Sequence, residues 1–571
     1  MKRKVMAGML AAVMTVSVLT ACGGSQESGA ETESAAAQNG NENGEAAQST
    51  EGDGAEVQTY GAGEWRTYDE PITVTFGSIE DVSQDSFTKM AEIGEPYENN
   101  RWVQYFRDEV GVESKYTLVS PTGADYQQQI VLAMTSGQLP DVFELSDMTL
   151  YQQLVDAGMI ADLTEIYEKE ANPTLKEIIE GEGENFLDNY KIDGKLYCVP
   201  YKMPSTNGFN YLWVRKDWLD KLGLDIPKTM DDVKAVAKAF VEQDPDGNGV
   251  DDTIGLSIDS LYTNFSGNGV FWAFGGQSAE MKYWSTLSDG TVGYSMVQPE
   301  MKGGLDWLQD MYKEGLLNPE FATLQWTDYG NLIANNTCGL FYGCHWYAIQ
   351  MNAVKDEVPE AEWVPILAPG TDGNPAPVYA NVSTNGFYCV RSDVEHPEVL
   401  VAMLNAYAEK LFGENNDFGT YFACAEDGNL WQHCPVKVLA ADVDLAPYRQ
   451  MKEALDNGTI DELTGVGGDY WQLIKGGDLG YKLEFGPEGS CFELVDQVYP
   501  DAITWNAWQG VPTPTYQERW SGMQEIIDAA YINIIKGEVD VDQGFDAMVE
   551  QWNAAGGTDV TVEVNALFSG N

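Results

Sequence analysis

Between Pro71 and Ala157 the chain alternates β-rich and helical runs, and this alternation limits the possible folds more than any other feature. Pro71–Gly77 (PITVTFG) has the composition of a strand. Tyr97–Val110 sets Trp102, Tyr105, Phe106 and Val110 at helical spacing, and Lys115–Val119 (KYTLV) returns to a strand. Asp125–Ser136 follows as a helix stopped by Gly137 and Pro140, then Asp141–Leu145 (DVFEL) as a strand and Met148–Ala157 as a helix. A β-α-β-α-β order demands right-handed crossovers and helices on the sheet faces, so an α/β fold with a mainly parallel sheet is expected. Ligands of such sheets sit beyond the carboxyl ends of the strands, here Ser78–Glu80 and Ser146–Asp147. For Asp147 two readings are open, helix N-cap or ligand contact.

The pattern continues with a helix over Leu163–Ile179, a hairpin over Tyr190–Tyr201 and a strand over Asn207–Val214. Helices follow at Asp217–Leu222 and Thr229–Gln243, the second opened by Thr229 three residues before Asp232. Pro397–Phe412, Leu445–Asn457, Pro514–Lys536 and Asp542–Trp552 read as helices, while glycine-rich Gly465–Gly489 has no assignment. At 571 residues the chain exceeds what one core usually holds, so two lobes are expected.

The formal net charge of −58 opposes nucleic acid and anionic membrane surfaces as partners. Lys2, Arg3 and Lys4 precede an apolar run from Val5 to about Leu19, the size of a signal-peptide core. The run ends in Leu19-Thr20-Ala21-Cys22-Gly23, which resembles a bacterial lipobox: residues 1–21 would be removed and Cys22 lipidated. The competing reading is an ordinary signal peptide with a chance cysteine. From 22 to 65 the composition is too polar to form a core and reads as a disordered tether, which leaves the function to the residues beyond it. Seven further cysteines, without a CxxC, do not read as a disulfide framework. Cys424 and Cys434 are a possible pair, and buried free thiols are expected for the rest.

The loop DPDGNGVDD sets Asp244, Asp246, Asn248 and Asp252 at positions 1, 3, 5 and 9 of an EF-hand-like loop. Gly249 takes position 6 and the Val250 carbonyl position 7. Hard oxygens converging around a glycine turn suit Ca²⁺, although position 12 is Gly255 and not a glutamate. The other reading is an acidic turn closing the preceding helix, where the aspartates oppose the helix dipole.

WVRKDWLDKLGL, Pro227-Lys228-Thr229 and DPDGNGVDDTIGL, with GGLDWLQDMYKEGLLNP at 303–319 and CGLFYGCHW at 338–346, resemble one known family. It is that of the extracellular solute-binding lipoproteins of carbohydrate-type ABC importers, in the branch of LplA and LipO, and the likeness runs the length of the chain. The resemblance implies a two-lobed periplasmic-binding-protein-like α/β fold with crossing strands between the lobes. One lobe would take 66–200 and 346–395, the other 205–340 and 400–550, with 551–571 a C-terminal segment. It also implies a carbohydrate ligand, ABC permease subunits as partners, a monomer, and a position on the outer face of the cell membrane held by the lipid anchor alone.

Sugars offer an apolar C–H face and a rim of hydroxyls, so flat rings and amide or carboxylate groups are the candidate contacts. Trp213 lies on the crossing strand, Trp272 in a glycine-flanked turn, Trp284 before a loop, and Trp505 and Trp508 around Asn506. In the family the residues after a turn like Gly343–Trp346 contact sugar, which nominates His345 and Trp346. For any single tryptophan, core packing is the competing reading. Polar candidates are Asn100, Asp147, Asn210, Arg215, Asn381 and Asn385, with a structural ion pair to Asp217 or Asp220 the alternative for Arg215. No nucleophile elbow, phosphate loop or HExxH is present, and there are only three histidines, so a binder is favoured over a glycosidase. A peptide or other small polar solute is the alternative ligand.

Overall fold

The computed structural model describes residues 58–79, 90–120, 123–181, 186–259, 267–277, 283–325, 328–355, 357–381, 384–422, 430–510 and 512–568. The signal segment, Cys22, most of the tether, Glu80 and Cys424 lie outside these residues. Every element below belongs to one compact unit beginning at Gly54.

The expected alternation is present. Strand β1 (Ile72–Ile79) is followed by β2 (Val112–Ser120), helix α1 (Gly123–Ser136), β3 (Val142–Leu145) and α2 (Met148–Asp156). Strand β1 pairs in parallel with both β2 and β3. The expected helix over Leu163–Ile179 is two, Thr164–Glu170 and α3 (Pro173–Glu180), because Pro173 has no N–H to continue the first. Asn172 turns extended and caps the second by accepting from the Leu175 amide at 2.9 Å. After a short hairpin, β4 (Cys198–Lys202) leads out of this first lobe.

The crossing strand is shorter than expected. Ser205–Gly208 forms a 3₁₀ turn, and only β5 (Tyr211–Arg215) is strand. It is the middle of an antiparallel sheet with β6 (Leu340–Gly343) and β7 (Trp363–Leu367) on either side. The second lobe also holds α4 (Met230–Glu242), whose expected capping box is complete. The Asp232 amide donates to Thr229 Oγ1 at 3.1 Å and the Thr229 amide to Asp232 Oδ2 at 3.0 Å. Next come α5 (Asn268–Ala273) and, further along, β8 (Val378–Ala380).

Strand β9 (Thr384–Val390) then returns to the first sheet and inserts antiparallel between β3 and β4, giving the order β2-β1-β3-β9-β4. The sheet is therefore parallel except for β9. Helix α6 (Val399–Phe412) packs on this lobe: Tyr407 stacks on Trp102 at 4.8 Å, and Asn405 Oδ1 accepts from the Asn172 amide at 2.9 Å. The Gly465–Gly489 stretch forms Gly465–Lys475 and α7 (Leu479–Phe485), and β10 (Ile503–Trp505) and α8 (Pro514–Ile535) follow.

Two expected boundaries are corrected. Residues 346–367 belong with the second lobe, because β7 hydrogen-bonds to β5, and α6 belongs with the first, where it covers the sheet. The C-terminal helix Thr558–Phe568 is also part of the second lobe, since Asn565 exchanges hydrogen bonds with Val292 at 2.9 and 2.8 Å. The six described cysteines beyond the tether are buried and free, Cys434 among them, and the expected Cys424–Cys434 pair involves a residue outside the described ones.

The chain passes between the lobes three times, at 202–211, 367–384 and 434–445. The passages are tied together. The Leu439 amide donates to Lys202 O and the Ser205 amide to Ala441 O, both at 3.0 Å. Gly208 lies so close to Ala380 that a Cβ added there would stand 2.6 Å from the Ala380 Cβ.

Candidate functional site

The second passage carries a cluster of aromatic and amide side chains. Strand β8 runs parallel to β10, and beyond β10 the Asn506 amide nitrogen donates to Ala380 O at 3.0 Å. Asn506 organises the cluster. Its Oδ1 accepts from the Trp284 and Trp508 amides at 2.8 and 3.1 Å, and its Nδ2 donates to Asn381 Oδ1 at 2.6 Å. Asn381 keeps its own NH₂ donors uncommitted among the described residues. Tyr379 lies between Trp272 and Tyr283, at 6.4 and 6.3 Å between ring centres, and Trp505 ends β10 half-buried. The Trp272 indole N–H is buried without an acceptor among the described residues.

On the opposite lobe, Asp147 is the nominated residue whose charge is felt across the cleft. The phenol of Tyr516, on α8, is raised well above its usual range by burial first, and by Tyr294 and Asp147 in addition. Asp147 therefore stands within electrostatic reach of the second lobe. Asp147 is exposed and also caps α2, its Oδ1 accepting from the Thr149 and Leu150 amides at 2.7 and 3.2 Å. The N-cap reading of this residue is the one the structure shows.

A second polar group closes the end of β6. His345 is buried, with Nδ1 2.5 Å from Glu484 Oε1 on α7 and Nε2 3.0 Å from Asn207 Oδ1 on the first passage. Asp444, on the third passage, is raised to about 6, by burial above all and against the pull of His345. Trp346 is half-buried and edge-on to His345, 4.9 Å between ring centres.

Of the residues nominated from sequence, the structure brings Trp272, Trp284, Trp505, Trp508 and Asn381 together and sets Asn210 beside them, where it accepts from the Gly269 amide on α5 at 3.1 Å. His345 and Trp346 lie beside the first passage, where His345 meets Asn207. Several of the nominated residues stand in other surroundings than expected. Trp213 is the core of β5, fully buried and stacked on Phe341 at 6.1 Å. Trp284 lies in a strand (Trp284–Thr286), not before a loop, fully buried against Trp508. Trp272 is helical, because Gly269 lets α5 pack against Asn210 and Tyr342. Arg215 is spent on structure: its guanidinium bonds Asp217 twice at 2.8 Å, reaches Asn336 Oδ1 at 2.6 Å and lies 4.5 Å over the Trp218 ring. Asn100 is a buried N-cap, accepting from the Trp102 and Val103 amides at 3.0 and 3.1 Å.

Sequence reasoning missed Tyr379, Tyr283, Asn207, Glu484 and Asp444, which are isolated positions on a short strand, in loops or turns and, for Glu484, on α7, and which meet only in the fold. It also missed Glu144, whose carboxyl burial pushes up to about 7 while Lys437 pulls it down. Lys437 holds the third passage to the first lobe, its Nζ donating to Gln432 O at 2.9 Å and lying 5.6 Å from the Tyr201 ring centre.

The acidic loop is ordered by its own side chains. Asp244, in the left-handed region at φ 46°, accepts from the Gly247 and Gly249 amides at 3.0 and 3.1 Å. Asn248 donates through Nδ2 to Asp246 at 2.7 Å and to Asp252 at 3.2 Å, and its Oδ1 accepts from the Val250 amide at 2.6 Å. Asp246 is raised by partial burial and by the Asp244 carboxyl beside it, whereas its hydrogen bond to Asp244 holds Asp244 low. The donor set is hard oxygen and suits Ca²⁺ in kind. As the side chains stand, no three acidic groups among the described residues gather closely enough to hold an ion. An amide donor occupies the space between Asp246 and Asp252, and turning the Asn248 amide over would present an oxygen instead.

These arrangements have relatives. The chain is 24% identical to Lipoprotein LipO of Bacillus subtilis over 486 residues, covering 80% of this chain and 86% of LipO. It is 25% identical to the polygalacturonan/rhamnogalacturonan-binding protein YtcQ of the same organism, covering 77% and 83%. Among solved structures it superposes on an EF-hand mutant of the substrate-binding protein FusA of Streptococcus pneumoniae, in complex with fructo-nystose. The TM-score is 0.58 at 18% identity, covering 87% of this chain and 99% of that one, a likeness of fold. The model of the bacterial extracellular solute-binding protein family matches residues 85–410, more than half of the chain, and the protein belongs to that family.

Proposed function

We propose that the chain is a lipid-anchored extracellular binding protein that captures a sugar or oligosaccharide between its lobes and delivers it to the permease subunits of an ABC importer. The observation that carries this reading is the cluster on the second passage. Trp505 and Tyr379 supply rings, Trp272 an unpaired indole donor and Asn381 an uncommitted amide, with Asp147 of the other lobe within reach. Such a set matches a ligand with apolar C–H faces and hydroxyl edges. Capture requires no bond-making step, only a closed state favoured by contacts to both lobes. That YtcQ binds polygalacturonan or rhamnogalacturonan, that FusA is a fructooligosaccharide substrate-binding protein and that LipO is a lipoprotein supports the ligand class and the anchor at Cys22.

Structural Ca²⁺ at Asp244, Asp246, Asn248, the Val250 carbonyl and Asp252 is part of the proposal. The loop ends α4, away from the cluster, so the ion would hold the turn and would not touch the ligand.

The test is titration calorimetry of the chain from Gly23 onward against neutral oligosaccharides, uronic-acid oligosaccharides and short peptides. Saturable heat with one glycan class, and that glycan recovered intact, is the expected result. Binding of peptides alone would replace the ligand class, and cleaved glycan would make the protein a hydrolase.

A further inference from the structure

We propose that Cys198 and Cys389 form a paired-thiol site that closes to a cross-strand disulfide, stapling the edge strand of the first lobe to its neighbour. The two residues lie directly opposite each other on β4 and β9. Opposed residues of an antiparallel pair alternate between those that exchange both backbone hydrogen bonds and those that exchange none, and the latter bring their side chains closer. Pro200 stands opposite Phe387 in the same register and has no N–H, so that pair is of the unbonded, closer kind. Two residues along, Cys198 and Cys389 are of the same kind. The far side of β9 agrees: the Arg391 amide donates to Asp141 O at 2.9 Å, so Cys389, of the same parity, turns its backbone toward β3 and away from β4. Such pairs set the Cα atoms about 4.5 Å apart. This is inside the range of roughly 4.4–6.8 Å that a disulfide spans, so closing the bond needs no shift of register.

Both cysteines are free and fully buried. Burial pushes both thiols far above their usual range, so in the closed fold they stay protonated and unreactive. Reaction therefore requires an opening. β4 is the outermost strand of its sheet, and edge elements open at less than the cost of global unfolding. The oxidant is a low-molecular-weight disulfide. The exposed thiolate of Cys198 attacks one of its sulfurs, forming a mixed disulfide and releasing one thiol. The Cys389 thiolate then attacks the Cys198 sulfur and releases the second thiol. The protein gives up two protons and two electrons, and the small disulfide takes them up as two thiols. The new bond joins the strand entering the first interlobe passage to the strand leaving the second.

The chain from Gly23 is incubated with oxidised glutathione in urea graded below the unfolding transition, then alkylated and mapped by mass spectrometry. The expected product has lost two hydrogens and contains one Cys198–Cys389 peptide pair, and its melting temperature is several degrees higher until dithiothreitol reverses it. In Cys389→Ala the reaction should stop after the first step, leaving one glutathione on Cys198. The proposal is overturned if both thiols remain open to alkylation throughout, if another pair such as Cys344–Cys491 forms first, or if the Cys198–Cys389 product melts lower than the reduced protein.

Discussion

Trp505 and Trp346 keep part of their rings in contact with solvent, whereas Trp213 and Trp284 are wholly enclosed. In the sequence the four look alike, because a tryptophan beside a strand end gives no sign of which neighbour will cover it. Burial is decided by partners such as Phe341 and Trp508, which arrive from distant segments. Trp505→Ala is therefore expected to weaken glycan binding by about 1–3 kcal/mol in calorimetry while leaving the melting temperature near that of the parent. Unaltered affinity would remove the ring from the site. Glu144 supports a second prediction at this scale. Burial holds its carboxyl near 7, above its value in the unfolded chain, so its stabilising contribution is complete at low pH and is lost as pH rises through about 7. Glu144→Gln should then melt higher than the parent at pH 8, by on the order of 1–3 kcal/mol, and lose that advantage toward pH 4.5. A gain independent of pH would mean that titration is not the cause.

At the scale of elements, local chemistry was easy to read. The Thr229–Asp232 capping box, the strand β1 and the helices over 399–412 and 514–535 follow from spacing and end signals alone. Single residues explain the misses. Pro173 splits a helix whose apolar spacing reads as continuous, and of the glycines in 465–489 Gly467, Gly468 and Gly480 sit inside helices, the second of them capped by Asp478, with Tyr470 packed on Phe485. The loop after α4, with its proposed Ca²⁺, was read from spacing alone. Its aspartates crowd one another strongly enough to separate the pKa values of Asp244 and Asp246, and a cation would relieve that repulsion. EDTA should lower the melting temperature, and Ca²⁺ at about 100 times its dissociation constant should restore roughly 2–3 kcal/mol. Asp246→Ala should abolish the response. A melting curve indifferent to both reagents would leave the loop a metal-free turn.

For the whole molecule, two lobes were legible from length and from family resemblance, but the assignment of segments to lobes was not. Nothing local to Trp363–Leu367 or Val399–Phe412 says which sheet or sheet face they will join, because strand partners and packing surfaces are chosen by the folded whole. One consequence concerns the order in which the molecule can be assembled. Strand β9 fills the place between β3 and β4, yet it is translated roughly 190 residues after β4. A nascent or partly exported chain ending anywhere before residue 384 therefore holds a first lobe with two unsatisfied strand edges and no α6 to cover it. The first lobe therefore has all its strands only once residue 390 is present and its cover only after Phe412, and the second lobe, which takes Pro514–Ile535 and Thr558–Phe568, is completed last.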